Sequence, residues 1–219
     1  CVHGLKETLS PYGRTLKGCP LKQQISPMHE VYAKGHLLAA LAIITMDNPL
    51  VAATGYRICN DCEASCIFQK QTPVNTPGVE SNILAEILQL DFGFEIYSLL
   101  ARWNPLSGNI WQENKNRNVL VVGLGPAGFT MAYYMLQAGY DVTAIDGTFI
   151  SPLNDSKELL KRFPENYLVS GFGGVMEYGI TKRWNKSLLL AIRLILERHP
   201  NFKMHSGFRL GSNLKLEDC

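Results

Sequence analysis

Two rhythms of apolar and polar residues run along this chain, and they change over near residue 118. Before that point apolar residues recur at helical spacing in short runs, joined by loops that carry cysteine. Ser26-Pro27 is a helix start, with a hydroxyl to cap and a proline suited to the first helical position. Gly35 interrupts it, and a second helix is predicted from about His36 to Asn48-Pro49, where proline removes the donor that would continue it. A third periodic stretch, 79–90, follows Thr76-Pro77-Gly78, and 94–103 reads as one more. Residues 104–117, with Asn-Pro, Ser-Gly and several asparagines, read as a linker. From Asn118 strands and helices alternate: a buried strand from 118, a helix over 129–138 closed by Gly139, then a strand over 141–145. A long polar excursion, 147–167, precedes the run 168–180. An amphipathic helix over 185–198 and an alternating strand over 202–210 complete the pattern. Strand–helix alternation predicts a parallel sheet, so the fold class expected is α + α/β. A small all-helical domain (1–103) and linker (104–117) precede a partial Rossmann-like parallel-sheet domain (118–219).

The junction between the first strand and its helix carries the most specific chemistry. Asn118-Val-Leu-Val-Val-Gly-Leu-Gly-Pro-Ala-Gly128 runs a strand into a glycine-rich turn. Gly123 would make the tight turn, Gly125 would let backbone approach a pyrophosphate, and Gly128 would let helix pack on strand. The helix N-terminus offers unpaired N–H groups and a positive dipole end to phosphate. Asp146, at the end of the second strand, can accept hydrogen bonds from a ribose hydroxyl. Strand, turn, helix, strand and acid in this order predict a dinucleotide site. The paired Gly173-Gly174 allows close backbone approach to a ligand, although a plain loop would use them equally well.

Composition removes several other classes. The chain has 219 residues, is 46% hydrophobic and carries a net charge of +2, and no basic run with interleaved aromatics suggests nucleic acid. The longest apolar run, 37–46, is shorter than the 20 or so residues that cross a bilayer. With no secretory signal at the start, the expected location is the cytoplasm. Beginning at Cys1 and stopping at Cys219, the sequence reads as a fragment. Its six cysteines favour metal or redox chemistry over a disulfide framework. Cys59-Asn-Asp-Cys62-Glu-Ala-Ser-Cys66 is a compact run, and Cys19-Pro20 stands apart from it. Iron–sulfur proteins gather ligands this way, but zinc accepts the same residues. The five histidines show no ligand spacing, and no nucleophile elbow or P-loop lysine is present.

With Cys19-Pro, the run Cys59/Cys62/Cys66 and the glycine fingerprint in one order, the chain resembles the glutamate synthase small-subunit family, which includes the amino-terminal half of dihydropyrimidine dehydrogenase. The segments Asp47-Asn-Pro-Leu50, Gly55-Tyr-Arg-Ile-Cys59 and Gly173-Gly-Val-Met-Glu-Tyr-Gly-Ile180 also look like family blocks. The resemblance implies a helical domain with [4Fe-4S] clusters beside an FAD-binding domain. Electrons would pass from NAD(P)H through FAD to the clusters and on to an electron-accepting subunit or domain. It implies Cys19, Cys59 and Cys62 as ligands of one cluster, with Glu80 where some relatives have glutamine. Cys66 and Cys1 would serve the other cluster, and Cys219 matches no family cysteine. For FAD it implies Gly123, Gly125, Pro126, Ala127 and Gly128 at the pyrophosphate and Asp146, in place of the usual glutamate, at the ribose. The block Gly173, Gly174 and Val175 would pass near the flavin, Arg183 would neutralise a phosphate, and the Leu210 backbone would read adenine. Ile58 would join the cluster domain to the flavin. Arg183, Leu210 and Ile58 each also fit a bland role in surface charge or packing.

The excursion between Asp146 and Gly171 departs from the commoner family pattern, so the electron acceptor does not transfer from glutamate synthase. The function expected is an NAD(P)H-linked, FAD-containing iron–sulfur oxidoreductase module, inactive as this fragment alone. An NAD-dependent dehydrogenase with structural zinc, or an electron-transfer subunit without a substrate site, would use the same features.

Overall fold

The structure is a computed structural model that describes residues 8–9, 13, 15–16, 18–55, 60–68, 70–102, 114–151, 153, 163, 173 and 186–218. The chain divides into two compact units, Cys1–Leu106 and Ser107–Cys219. The first is helical, and the second is built on a parallel sheet, as α + α/β implies. Among the described residues no helix is long and apolar enough to cross a membrane.

The first unit opens with a short antiparallel pair, β1 (Thr8–Leu9) and β2 (Thr15–Leu16), which the apolar rhythm does not announce. Among the described residues six helices follow: α1 (Ile25–Ala33), α2 (Leu37–Asp47), α3 (Val51–Thr54), α4 (Asp61–Ala64), α5 (Thr76–Leu88) and α6 (Gly93–Arg102). Helices α2 and α5 are central, each packing on α6, with α1 against α2 and α3 against α5. Their shared core includes Met28, Leu41, Ile44, Ile83, Leu84, Ile87 and Phe94, all nearly inaccessible to water. Burial of each such side chain stabilises the unit by about 1.5–3 kcal/mol. The buried Tyr97 hydroxyl donates to the Pro49 carbonyl at 2.8 Å, tying α6 to the α2–α3 junction.

In this unit two starts differ from the sequence expectation for local reasons. Helix α1 begins at Ile25, which puts Ser26 inside the first turn, and no side chain caps the helix. Helix α5 begins at Thr76, ahead of the expected 79, because Asn75 accepts the Gly78 N–H at 3.0 Å and Pro77 fits the first turn. Proline suits that place because its missing N–H has no partner there in any helix. The short helices α3 and α4 went unforeseen, since four residues show no helical period.

Among the described residues the second unit holds three parallel strands in the order β3 (Asn118–Val122), β4 (Asp141–Asp146), β5 (Phe202–Ser206). Register pairs Val121 with Ala144 and Ala144 with Met204, so alternate positions share a face. Helix α7 (Pro126–Gln137) packs on β3 and β4, while α8 (Leu189–Glu197) packs on β5 and α7. Val121, Val142, Ala144 and Phe202 form the buried sheet layer. Helix α8 was expected to be amphipathic from residue 185. Instead a 3₁₀ turn (Lys186–Leu188) leads into it, and every residue from Leu189 to Leu196 is buried, Arg193 included. Strand β5 was expected to reach residue 210 but stops at Ser206, where Gly207 adopts φ +78° and turns the chain.

Candidate cofactor-binding site

The glycine turn joins the C-terminal end of β3 to α7, the position at which open parallel sheets bind ligands. Gly123 has φ +94°, a left-handed conformation that side chains disfavour. Gly128 lies on the first turn of α7, where a Cβ would overlap the Gly123 carbonyl oxygen and come within 2.8 Å of its carbon. Helix and turn therefore touch backbone to backbone. Gly125 is the N-cap residue, Pro126 opens the helix, and no side chain caps it. The first N–H groups of α7 are thus oriented for an outside acceptor, and Ala127 beside them is exposed.

Gly173 reaches this turn from far along the chain. Its N–H donates to the Leu124 carbonyl at 2.8 Å. A Cβ on Gly173 would lie 2.7 Å from the Leu124 carbonyl carbon and 2.8 Å from the Gly125 nitrogen. Only glycine tolerates so close a pass. Gly174, Val175 and Arg183 lie outside the described residues, as do Ile58, Cys59 and Cys1.

Asp146 ends β4 next to the turn, only 9% exposed. Its Oδ2 accepts the Leu124 N–H at 2.6 Å and its Oδ1 accepts the Thr148 N–H at 2.7 Å. Sequence reasoning singled out the acid but not these backbone partners, which no residue pattern marks. Leu210 sits in a turn over 209–214 and is 40% exposed, so core packing is not its role. An open cleft of about 660 Å³ runs over Leu120, Thr143, Ile145, Lys203 and His205 on the sheet face away from the helices. It includes none of the glycine turn, and the chemistry favours the turn as the site.

In the helical unit Cys19, Cys62 and Cys66 carry thiols. The buried Gly18 N–H donates to Ser65 Oγ at 3.0 Å, so the Cys19 segment is tied to the end of the cysteine run although the two residues lie 47 positions apart. Cys66 Sγ accepts two backbone N–H groups, from Phe68 at 3.5 Å and Val74 at 3.4 Å. The Cys19 thiol donates to Gln23 Oε1 at 3.6 Å. Gln23 and Glu80 line one small cavity. Glu80 is 6% exposed, and desolvation pushes its carboxyl up to about 7. Among the described residues no three potential ligands converge on one point. Thiols are nevertheless the ligand type that suits a soft metal. Ser65 and Gln23, which sequence reasoning missed, are the residues that organise it.

No family model matches the chain. It is 54% identical over 181 residues to the uncharacterized protein RP006 of Rickettsia prowazekii (strain Madrid E), covering 78% of this chain and 25% of that protein. It is 30% identical over 131 residues to the glutamate synthase [NADPH] small chain of Bacillus subtilis (strain 168), covering 59% of this chain and 24% of the relative. Against AegA of Escherichia coli (strain K12), named as an oxidoreductase, it is 26% identical over 181 residues, 81% of this chain and 22% of that one. The chain spans about a quarter of the length of these relatives. Relatives at this distance support an oxidoreductase family for the chain.

Proposed function

We propose that this chain is the cofactor-holding part of an NAD(P)H-linked oxidoreductase that binds FAD at the glycine turn and iron–sulfur at its cysteines. The observation that carries this reading is the turn itself. Gly123, Gly125 and Gly128 bring bare backbone and an uncapped helix N-terminus to the end of β3, with Gly173 drawn in beside them. A pyrophosphate fits such a place because the N–H groups supply hydrogen bonds and the helix dipole supplies positive potential. Pro126 adds no donor but fixes the first turn, so the neighbouring N–H groups keep their direction.

When bound, FAD would take electrons in pairs and the cluster would take them singly, chemistry that belongs to the cofactors. The residues of this chain bind and orient. Cys19, Cys62 and Cys66, with Cys59 by family resemblance, would hold iron. The backbone N–H groups of Phe68 and Val74 reach the Cys66 sulfur and fix its direction. Glu80, which shares a small cavity with Gln23, is pushed toward neutrality at pH 7 by burial. NAD(P)H would be bound by chain not contained in these residues, and the electrons would leave to a partner subunit or domain.

Titration of the purified chain with FAD, followed by quenching of flavin fluorescence, tests the reading. Saturable binding that is lost in Gly125→Val supports it. Equal and weak quenching by wild type and variant, or tight binding of NAD⁺ alone, would replace it with the dehydrogenase alternative.

A further inference from the structure

Past Ser206 the chain turns back onto the end of β4. The Phe208 N–H donates to the Asp146 carbonyl at 3.0 Å, and the Gly207 N–H donates to the Thr148 carbonyl at 3.4 Å. The turn is braced from within. Asn213 Oδ1 accepts the Arg209 N–H at 2.6 Å, and its Nδ2 donates to the Gly207 carbonyl at 2.8 Å. The Arg209 carbonyl accepts the N–H groups of Ser212 and Leu214, so the arginine has a fixed backbone. Its side chain runs across Gly147, the residue after Asp146. A Cβ on Gly147 would lie 2.6 Å from Arg209 Nε and 2.7 Å from its Cγ. Gly147 does not have a positive φ, so its missing side chain serves to make room for the arginine. Arg209 is exposed, and among the described residues nothing pairs with its guanidinium.

The order of groups in an adenine nucleotide matches the order of residues at this end of the sheet. Pyrophosphate belongs at the glycine turn, and Asp146 lies beside that turn with its Oδ2 on the Leu124 N–H. A carboxylate has about four acceptor sites, so the two N–H groups that Asp146 accepts leave room for ribose hydroxyls. One residue further, at Gly147, comes the place of the base, and there Arg209 presents a planar cation. A guanidinium stacks on an aromatic face through both its plane and its charge, whereas an ammonium offers charge alone. We infer that Arg209, seated over Gly147, stacks on the base of the nucleotide bound at the glycine turn. The inference rests on the reading of that turn as a dinucleotide site and adds the side chain that grips the adenine end. Because the arginine backbone is already fixed, less freedom is lost when it closes on a ring.

Calorimetric titration of the full chain with ADP tests the contact. Arg209→Ala should weaken ADP binding by about 3- to 30-fold. Its affinity for inorganic pyrophosphate, read by competition with ADP, should stay as in wild type. Arg209→Lys should recover only part of the loss. Gly147→Ala puts a methyl where the arginine lies and should weaken ADP as much as Arg209→Ala does, while the double variant should lose no more than either single one. Both residues sit in surface turns, and matching thermal melts would show that the variants fold. Unchanged ADP affinity in Arg209→Ala or in Gly147→Ala overturns the inference and leaves the dinucleotide reading intact, as do losses that add in full in the double variant. An equal loss of pyrophosphate affinity also overturns it, by assigning the guanidinium to phosphate. If wild type binds no ADP, the dinucleotide reading falls and this inference falls with it.

Discussion

Gly128→Ala puts the backbone contact between helix and turn to a quantitative test. The added methyl would overlap the Gly123 carbonyl oxygen and sit 2.8 Å from its carbon, whereas real Cβ atoms keep at least 3.0 Å. The obstacle is backbone, so no side chain can swing aside, and α7 must retreat by roughly 1 Å from β3. Two terms oppose each other. Alanine is favoured over glycine inside a helix by about 1 kcal/mol, less at the first turn. Forcing an extra methyl into a rigid contact costs about 1–3 kcal/mol, with the upper end apt where backbone meets backbone. The net expectation is a loss of about 1–2 kcal/mol. With a urea slope of about 2 kcal/mol per molar, the unfolding midpoint falls by about 0.5–1 M. Circular dichroism during urea unfolding reads it. The exposed neighbour Ala127 supplies a control, because Ala127→Gly isolates the propensity term at the same turn. FAD affinity should fall with Gly128→Ala, since the retreating helix takes its N–H groups with it. A variant as stable as wild type, with unchanged FAD affinity, would refute the claim that this glycine is required by close packing.

Glu80 makes stability depend on pH. Its folded pKa, about 7, lies above the ordinary 4.5, so the folded state favours the protonated form. Below about pH 4.5 burial carries no ionisation cost; stability is then lost as pH rises through 7, reaching about 3 kcal/mol. Glu80→Gln in the metal-free chain should match wild type at pH 4.5 and exceed it at pH 8, as thermal melts at both pH values would show; equal melting at pH 8 would count against a desolvated carboxyl. Tyr97→Phe leaves the buried Pro49 carbonyl without the hydroxyl that donates to it at 2.8 Å, and should destabilise the helical unit by about 1–3 kcal/mol in urea unfolding. No change would mean that another donor serves Pro49.

Much of the sheet unit was legible because its signals are local. The apolar run in 118–122, the strand pattern in 141–145 and the glycines between them correspond to β3, the turn and β4 almost residue for residue, although the expected buried strand from 118 is buried only at Val121. The end of β5 was not legible, since an alternating pattern continues past Gly207 and only the backbone conformation there ends the strand. The burial of Arg193 inside α8 was equally hidden, because a charged residue among leucines signals a solvated face. In the helical unit the apolar period of the third stretch shows only from 79, so the start of α5 by Asn75 and Pro77 ahead of it was not legible. At the candidate site the glycines declared themselves by type. What Asp146 and Gln23 do depends on backbone and thiol partners brought near by folding, and those partners carry no mark in sequence. Cys62 and Cys66 were visible by spacing, but the N–H groups aimed at Cys66 come from Phe68 and Val74, residues with no chemical signature of their own.

The most direct test of the whole account is the chemical content of the chain after anaerobic incubation with iron, sulfide and FAD, followed by removal of excess reagents. The account predicts a yellow-brown protein with stoichiometric FAD, iron and acid-labile sulfide, absorbing near about 450 nm and bleached by dithionite. Colourless protein that retains zinc, or nothing, would contradict it.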